Sequence, residues 1–590
     1  MPAAPYVTPL LALLLTAGSA AAGQLEAYPI PTSADISVGV DSQGQKARPV
    51  PAPSGEALTV VAARNAVANG QILLKATGGP VRTSVTVSDL KGPGAASIPA
   101  GRVQVRYGQY ITAEKSLSVY RWQKDIALSA NAADDKPAAY NISRGLWRID
   151  CLVPTAECEV EENLPRSAWL TFHIARDAAP GVYKGTATVA GADATIPIEL
   201  EVVDAVVPDL AESVMTNDIR PMWEVIALGN GIPLADCWKS EKFWSVVAAY
   251  LDKLGRLRMS SCGISLVAPS TTSSLGMVEW IRKGDRWSWD YAPLDRFFAT
   301  YRKAVGEPRL LDATAFAQVE QRPVLCVVYT DGQTGERALL QMGDDAAAAD
   351  LAVAFVKGLT AHLATLKLDK KLALGIWHDK MRHQGGGIRR RLLEEFPDLK
   401  LSLWAHSDGW GMRVEERVAS YMTKCSLGEA HPYPIKIGMR PAAERSHTFG
   451  PIVWDGAVRN RVGLGQVDFA NWSGQRRAKE YTYFGTGPFT SWQRHLVYPM
   501  HDGQVVTGVL YELFREYSQD FELLKMMQAK GVKSGFLADP RAALNTISQL
   551  GRFGRLNARS APPAKVDRMH WDILRQAGEA KVRPRGKRVD

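Results

Sequence analysis

One change of rhythm divides this chain. Up to Asp209 short runs alternate apolar and polar residues, among them LTVVAARNAV, RTSVTVSDL, AWLTFHIARD, YKGTATVAGAD and ATIPIELEVVD, cut by Gly, Pro, Asn and Asp. Period-two alternation puts every second side chain on one face of a strand, so residues 24–208 predict an antiparallel β-sandwich. Gly191-Ala192-Asp193 reads as a hairpin connection within it. After Val207-Pro208-Asp209 helical segments alternate with short apolar strands. DLAVAFVKGLTAHLATL places Leu351, Phe355, Leu359 and Leu363 at every fourth position, a single buried stripe. Candidate strands are GISLVAP, RPVLCVVYTDG, LALGIWHD, LKLSLWAHSDG, KCSLGEAHP and GPIVWDG, with MTNDIRPMWE opening the series and YTYFGTGPF closing it. Nearly continuous apolar strands between helices imply parallel pairing covered by helices. Eight such units in residues 209–535 fit a (β/α)8 TIM-type barrel with a closing C-terminal helix. The competing doubly wound sheet lacks its Gly-rich phosphate loop. Residues 536–590 read as a C-terminal extension with a disordered basic tail.

At 590 residues the chain exceeds what one core supports, which agrees with this multidomain division. MPAAPYVTPLLALLLTAGSAAAGQ has a short apolar core followed by small residues, so residues 1–23 resemble a signal peptide and place the protein in the secreted or periplasmic space, or at the cell surface. About ten apolar residues are too few to span a bilayer, so no integral membrane segment is expected. Cys151 and Cys158, in DCLVPTAEC, are close enough to bridge in an exported protein. Cys262 and Cys326 sit in apolar contexts that suit buried thiols. The net charge of +9, partly from the ending KVRPRGKRVD, suits an anionic glycan partner or a solvated tail. No motif points to nucleic acid.

The expected strand ends are unusually polar. In GIWHDKMRHQGGG an apolar run stops at His378, Asp379 and Lys380, and three glycines follow. In a barrel these ends build the active site. Carboxylates at such ends suit general acid–base work; glycosidic hydrolysis is one reaction of that kind, with two carboxyl groups about 5 Å apart for retention and up to about 9.5 Å for inversion. The catalytic candidates are Asp379, Glu429, His378 and Asp331. Lys380 and His378 would pull the Asp379 pKa down, which suits a base or stabiliser, and a strand-end Asp also caps turns. Trp377, Trp404, Tyr433, Trp454 and Trp472 supply rings that stack on a pyranose or fill a core, and His406, Asp408 and His431 supply partners for hydroxyls. The histidines lack metalloprotease spacing, so neither a metal nor a cofactor is expected.

Two stretches carry a family resemblance. AWLTFHIARDAAPGVYKGTATV, followed by IPIELEVVDAVVPD, is similar to the end of the N-terminal sandwich in glycoside hydrolase family 123, where a Pro-Gly-x-Tyr-x-Gly turn precedes a hairpin and the exit into the catalytic barrel. LVYPMHDGQVVTGVLYELFREYSQDFELLKMM resembles that group's C-terminal signature, carried here by Tyr498, Pro499, Gly503, Glu512, Leu513, Arg515, Glu516, Asp520, Phe521, Glu522 and Leu524. The resemblance implies a sandwich, a barrel and removal of terminal N-acetylgalactosamine by a neighbouring Asp-Glu pair. In that pair the Asp orients the substrate's acetamido group as nucleophile and the Glu protonates the leaving oxygen. The matching strand here, LALGIWHDKM, departs from the pattern. In one alignment His378 replaces the Asp and Asp379 the acid; in the other Asp379 keeps its place and Lys380 displaces the acid. One carboxylate is missing either way, so neither that reaction nor its substrate carries over directly. The expectation is a secreted glycoside hydrolase acting on an extracellular polysaccharide or glycoconjugate; the alternative is a catalytically inactive carbohydrate-binding barrel.

Overall fold

The computed structural model describes residues 23–40, 50–115, 145–192, 194–209, 216–218, 223, 226–227, 230–259, 261–268, 275–318, 325–343, 345–377, 386–405, 418–422, 436–437, 449–458, 467–468, 484–486, 496–499, 504–547, 549–550, 556–557 and 562–584. The alternating half forms two β layers. One sheet runs in the order Gln24–Ile30, Val67–Thr77, Arg166–His173, Val103–Lys115, Gly145–Val153 and Ser37–Val40, with antiparallel neighbours. The other is built on Leu58–Arg64, Ala194–Val206 and Gly181–Val189. Period-two burial brings Val60, Ile72, Leu170, Phe172, Ile198 and Leu200 together between the layers. Each such fully buried aliphatic or aromatic side chain contributes about 1.5–3 kcal/mol. The hairpin expected at Gly191 is present, with Val189 paired to Ala194 and Gly191 at φ 77°. The Pro-Gly-x-Tyr turn also has a physical reason. A side chain at Gly181 would meet the Pro93 ring at 2.4 Å, and the Tyr183 hydroxyl donates to the Ala179 carbonyl at 2.8 Å.

Beyond residue 209 the sheet is parallel. Its strands are Thr216–Asp218, Ser261–Ser265, Leu310–Gln318, Leu372–Trp377, Lys400–Ala405, Val418–Met422, Lys436–Ile437 and Val467–Asp468. The first seven pair in chain order, and the eighth returns to lie beside the first. Among the described residues no pairing joins the seventh to the eighth. Helix Glu241–Arg256 connects the first strand to the second, Ala292–Ala304 the second to the third, Ala346–Thr365 the third to the fourth and Gly386–Glu395 the fourth to the fifth. In Ala346–Thr365, Phe355, Leu359 and Leu363 are buried as their spacing predicts, while Leu351 is only half-buried. This helix is also long and apolar enough to cross a membrane by length and composition.

Several expected strands are reassigned. RPVLCVVYTDG does contain a strand, Leu325–Asp331, but it lies in a hairpin beside the parallel series. The third parallel strand is LLDATAFAQ, whose Asp312 and Thr314 broke the apolar run although both are buried. GPIVWDG belongs to helix Phe449–Val458, with Val453, Trp454 and Ala457 buried one turn apart and Pro451 tolerated in the first turn. YTYFGTGPF contributes Phe484–Thr486, which pairs with Ala113–Lys115 of the sandwich. KCSLGEAHP lies wholly outside the described residues, and the sixth strand, Val418–Met422, precedes it. Cys151 and Cys158 are free thiols on strands of different sheets, and the expected bridge is not formed.

The two halves meet through helix Val509–Ala529, buried along most of its length in one hydrophobic cluster that joins residues of both, Tyr110 and Trp169 of the sandwich among them. Glu512, Glu516 and Asp520 recur every fourth residue and therefore share one face. Three buried carboxylates in a row would be strongly destabilising without partners. Glu512 pairs with Arg106 of the sandwich at 2.7 Å. Burial opposes the Glu512 charge, but Arg106 and Arg515 outweigh it and hold the carboxyl below its usual range. Glu516 accepts from the Asn69 side chain at 2.9 Å. Asp520 accepts from Trp454 Nε1 at 2.8 Å and meets His570 Nδ1 at 2.7 Å. His570, on helix Pro563–Glu579, also reaches Glu516 at 3.1 Å. At the helix start the sandwich residue Asp150 accepts from the Leu510 amide at 2.9 Å, capping a helix whose own cap, Gly508, has no side chain. A Cβ at Gly508 would sit 2.9 Å from that carboxylate.

Two outcomes follow from this stripe. Arg106→Met takes away the closest partner of buried Glu512 and leaves it Arg515 at 3.6 Å and the Thr507 hydroxyl at 2.9 Å, so stability falls by up to about 3–5 kcal/mol, read from the denaturant midpoint. For His570, burial disfavours the cation, but Asp520 and Glu516 outweigh it and push the imidazole up to about 10. Its folded pKa lies above the usual 6.5, so its contribution is complete below pH 6.5 and is lost as pH rises through 10. The melting temperature falls across that window, and His570→Gln removes this slope.

Candidate functional site

Loops carrying chemistry leave the C-terminal ends of parallel strands. There the register places Trp377 opposite Trp404, and Trp404 opposite Tyr421, on three adjacent strands. The register thus aligns three aromatic positions. His378 and Asp379 follow the fourth strand directly, and His406 and Asp408 follow the fifth. Glu429, His431 and Tyr433 fall between the sixth strand and the seventh, and Trp472 follows the eighth. All eight residues lie outside the described residues, as do His383 and Cys425.

Sequence reasoning passed over two acidic positions. Asp218 and Asp468 end the first and eighth strands and are register partners. The first strand, TND, lies within the expected opening segment MTNDIRPMWE, whose Asp218 carried no site signal of its own, and the eighth, VD, is too short to make a visible apolar run.

The structure separates two other candidates from this edge. Asp331 lies at a hairpin turn, where its Oδ1 accepts from the Gln333 and Thr334 amides at 2.8 and 3.0 Å. These amides hold its carboxyl below the usual range. Such an Asp-Gly turn is a structural use of the side chain. Trp454 is wholly buried in its helix, edge-on to Tyr517 and bonded to Asp520, so its ring is unavailable to a sugar.

The second and third connections are elaborated. Strands Glu279–Lys283 and Arg286–Asp290 precede the helix after the second parallel strand; Leu325–Asp331 and Arg337–Met342 precede the helix after the third. Together they pair into one accessory sheet beside the strand ends. A cavity of about 850 Å³ lies elsewhere, between the sandwich and helix Pro563–Glu579, lined by Pro51, Pro53, Pro563 and Trp571. Its buried acid, Asp567, already accepts from the Thr32 and Ser33 amides. Among the described residues no group of three or more His, Cys, Asp or Glu is placed to hold a metal.

Residues 40–191 match the family model described as the glycoside hydrolase 123 N-terminal domain. No curated protein matches the chain. Among solved structures, the chain is similar to a family 123 glycoside hydrolase from Clostridium perfringens, whose structural analysis concerns glycolipid glycan hydrolysis. The TM-score is 0.70 at 13% identity, over 95% of this chain and 98% of that one. The likeness is therefore one of fold along nearly the whole length, joined to a sequence match in the N-terminal domain.

If the Asp331 carboxylate serves the turn alone, Asp331→Ala leaves glycan binding and any sugar release unchanged. Its effect appears as faster amide exchange across the Leu325–Met342 hairpin.

Proposed function

We propose that this family 123-like chain is an exported glycoside hydrolase whose parallel strands close into a (β/α)8 barrel. Its substrate is a glycan of an extracellular polysaccharide or glycoconjugate. The observation that carries the reading is the chain-long fold shared with a family 123 hydrolase, together with the N-terminal family match. The alignment of the aromatic positions Trp377, Trp404 and Tyr421 by register at the strand ends supports a sugar ligand. Export is supported by the leader-like residues 1–23.

In this reading Asp379 is the stabilising or basic carboxylate, beside His378 and Lys380, and Glu429 supplies the acid. Asp218 and Asp468 are the next pair to examine. No cofactor is required, because proton transfer and charge stabilisation come from carboxylates. The test is sugar release from a panel of glycans bearing different terminal residues. Asp379→Asn and Glu429→Gln each lower the rate about 100- to 10,000-fold, the usual contribution of a general acid or base. Full activity in both variants contradicts the assignment.

The replacement of Asp-Glu by His378-Asp379-Lys380 favours one second reading, a barrel that binds glycan without cleaving it. Mass spectrometry of the oligosaccharide after prolonged incubation separates the two: an enzyme shortens it, a binding protein returns it intact.

A further inference from the structure

The two faces of the accessory sheet differ in character, and strand register separates them. One carries Trp280, Trp287, Trp289 and Tyr329. Trp280 and Trp289 pack on Phe355 of helix Ala346–Thr365, with ring centroids 4.7 and 5.8 Å apart, so this face turns toward the helical layer. The opposite face carries Glu279, Ile281, Thr330 and Arg337. On that face Val328 and Leu339 pack against Ala268, just past the end of the second parallel strand. Arg337 also lies within electrostatic reach of Cys237, in the 3-10 turn Leu234–Lys239 that follows the first strand. The face therefore looks across the C-terminal edge of the parallel strands.

Arg337 is exposed to solvent, yet surrounding protein crowds it enough that desolvation lowers its pKa. Glu279, the nearby carboxylate, accepts from Thr330 Oγ1 at 2.7 Å. Among the described residues Arg337 has no ion pair or side-chain hydrogen bond. Its planar fork of donors is suited to an oxyanion, and the chain's charge of +9 favours an anionic ligand.

We propose that this face is one wall of the glycan site and that Arg337 binds an anionic substituent of the substrate, a sulfate or a carboxylate. The inference rests on the glycan reading above but not on cleavage. Calorimetric titration of the full chain with three disaccharides tests it: one N-acetylhexosamine-containing and neutral, its 6-O-sulfated form, and a uronic-acid analogue. At low salt at least one anionic form binds about 10-fold tighter than the neutral one, as a charge-assisted bond allows. Preference for the sulfated or the uronic form identifies the anion. Arg337→Gln abolishes the preference at unchanged melting temperature, and Arg337→Lys restores part of it. Equal binding of all three by the wild type, or a preference that survives in Arg337→Gln, overturns the inference. If the neutral disaccharide is bound or cleaved in that case, the glycan reading stands while this one falls; no binding of any of the three counts against both.

Discussion

The ion pair between Arg106 and Glu512, with the acidic stripe it begins, is the constraint on which the rest of the molecule depends. A stripe of Glu512, Glu516 and Asp520 on an exposed helix would be an ordinary solvated face. Here the helix is buried in a cluster shared by both halves, so each carboxylate has to find a partner from elsewhere in the chain. The sandwich supplies Arg106 and Asn69, helix Phe449–Val458 supplies Trp454, and helix Pro563–Glu579 supplies His570. Each acid is thereby tied to a different element of the chain. Such directional contacts favour one orientation between sandwich and parallel sheet more strongly than non-directional apolar contacts do.

That placement accounts for the C-terminal signature. Glu512, Glu516 and Asp520 are positioned for assembly, and their chemistry is consumed by neighbouring side chains. Tyr498 belongs to the same system, since its hydroxyl donates to Asp150, the sandwich carboxylate that caps the helix. With the bridging helix fixed, the strand ends and the accessory sheet are held in a constant relation to the sandwich. A binding cleft formed by loops benefits from such a rigid base.

Much of the architecture was legible because it rests on period. Alternation announced the sandwich, and the four-residue stripe announced helix Ala346–Thr365. The third parallel strand escaped because buried Asp312 and Thr314 interrupt its apolar run, while a hairpin strand richer in Val and Leu stood out instead. Trp454 was misplaced because a short apolar run does not distinguish a strand from a buried helix. The site was less legible. An Asp-Gly dipeptide reads alike in a turn and at a catalytic edge, and only the amide partners of Asp331 decide between them. Asp218 and Asp468 acquire meaning only when the eighth strand returns beside the first. Arg337 gave no local signal, since its significance comes from which face of a four-stranded sheet it occupies.

The central claim is that the strand ends and the accessory sheet enclose one glycan site on this rigid base. It is tested most directly by a crystal structure of the Asp379→Asn protein soaked with an oligosaccharide. The account predicts sugar density over the ends of the fourth and fifth strands, against Trp377 and Trp404, bounded on one side by the Arg337 face. Density confined to the sandwich, or to the cavity beside helix Pro563–Glu579, would contradict it.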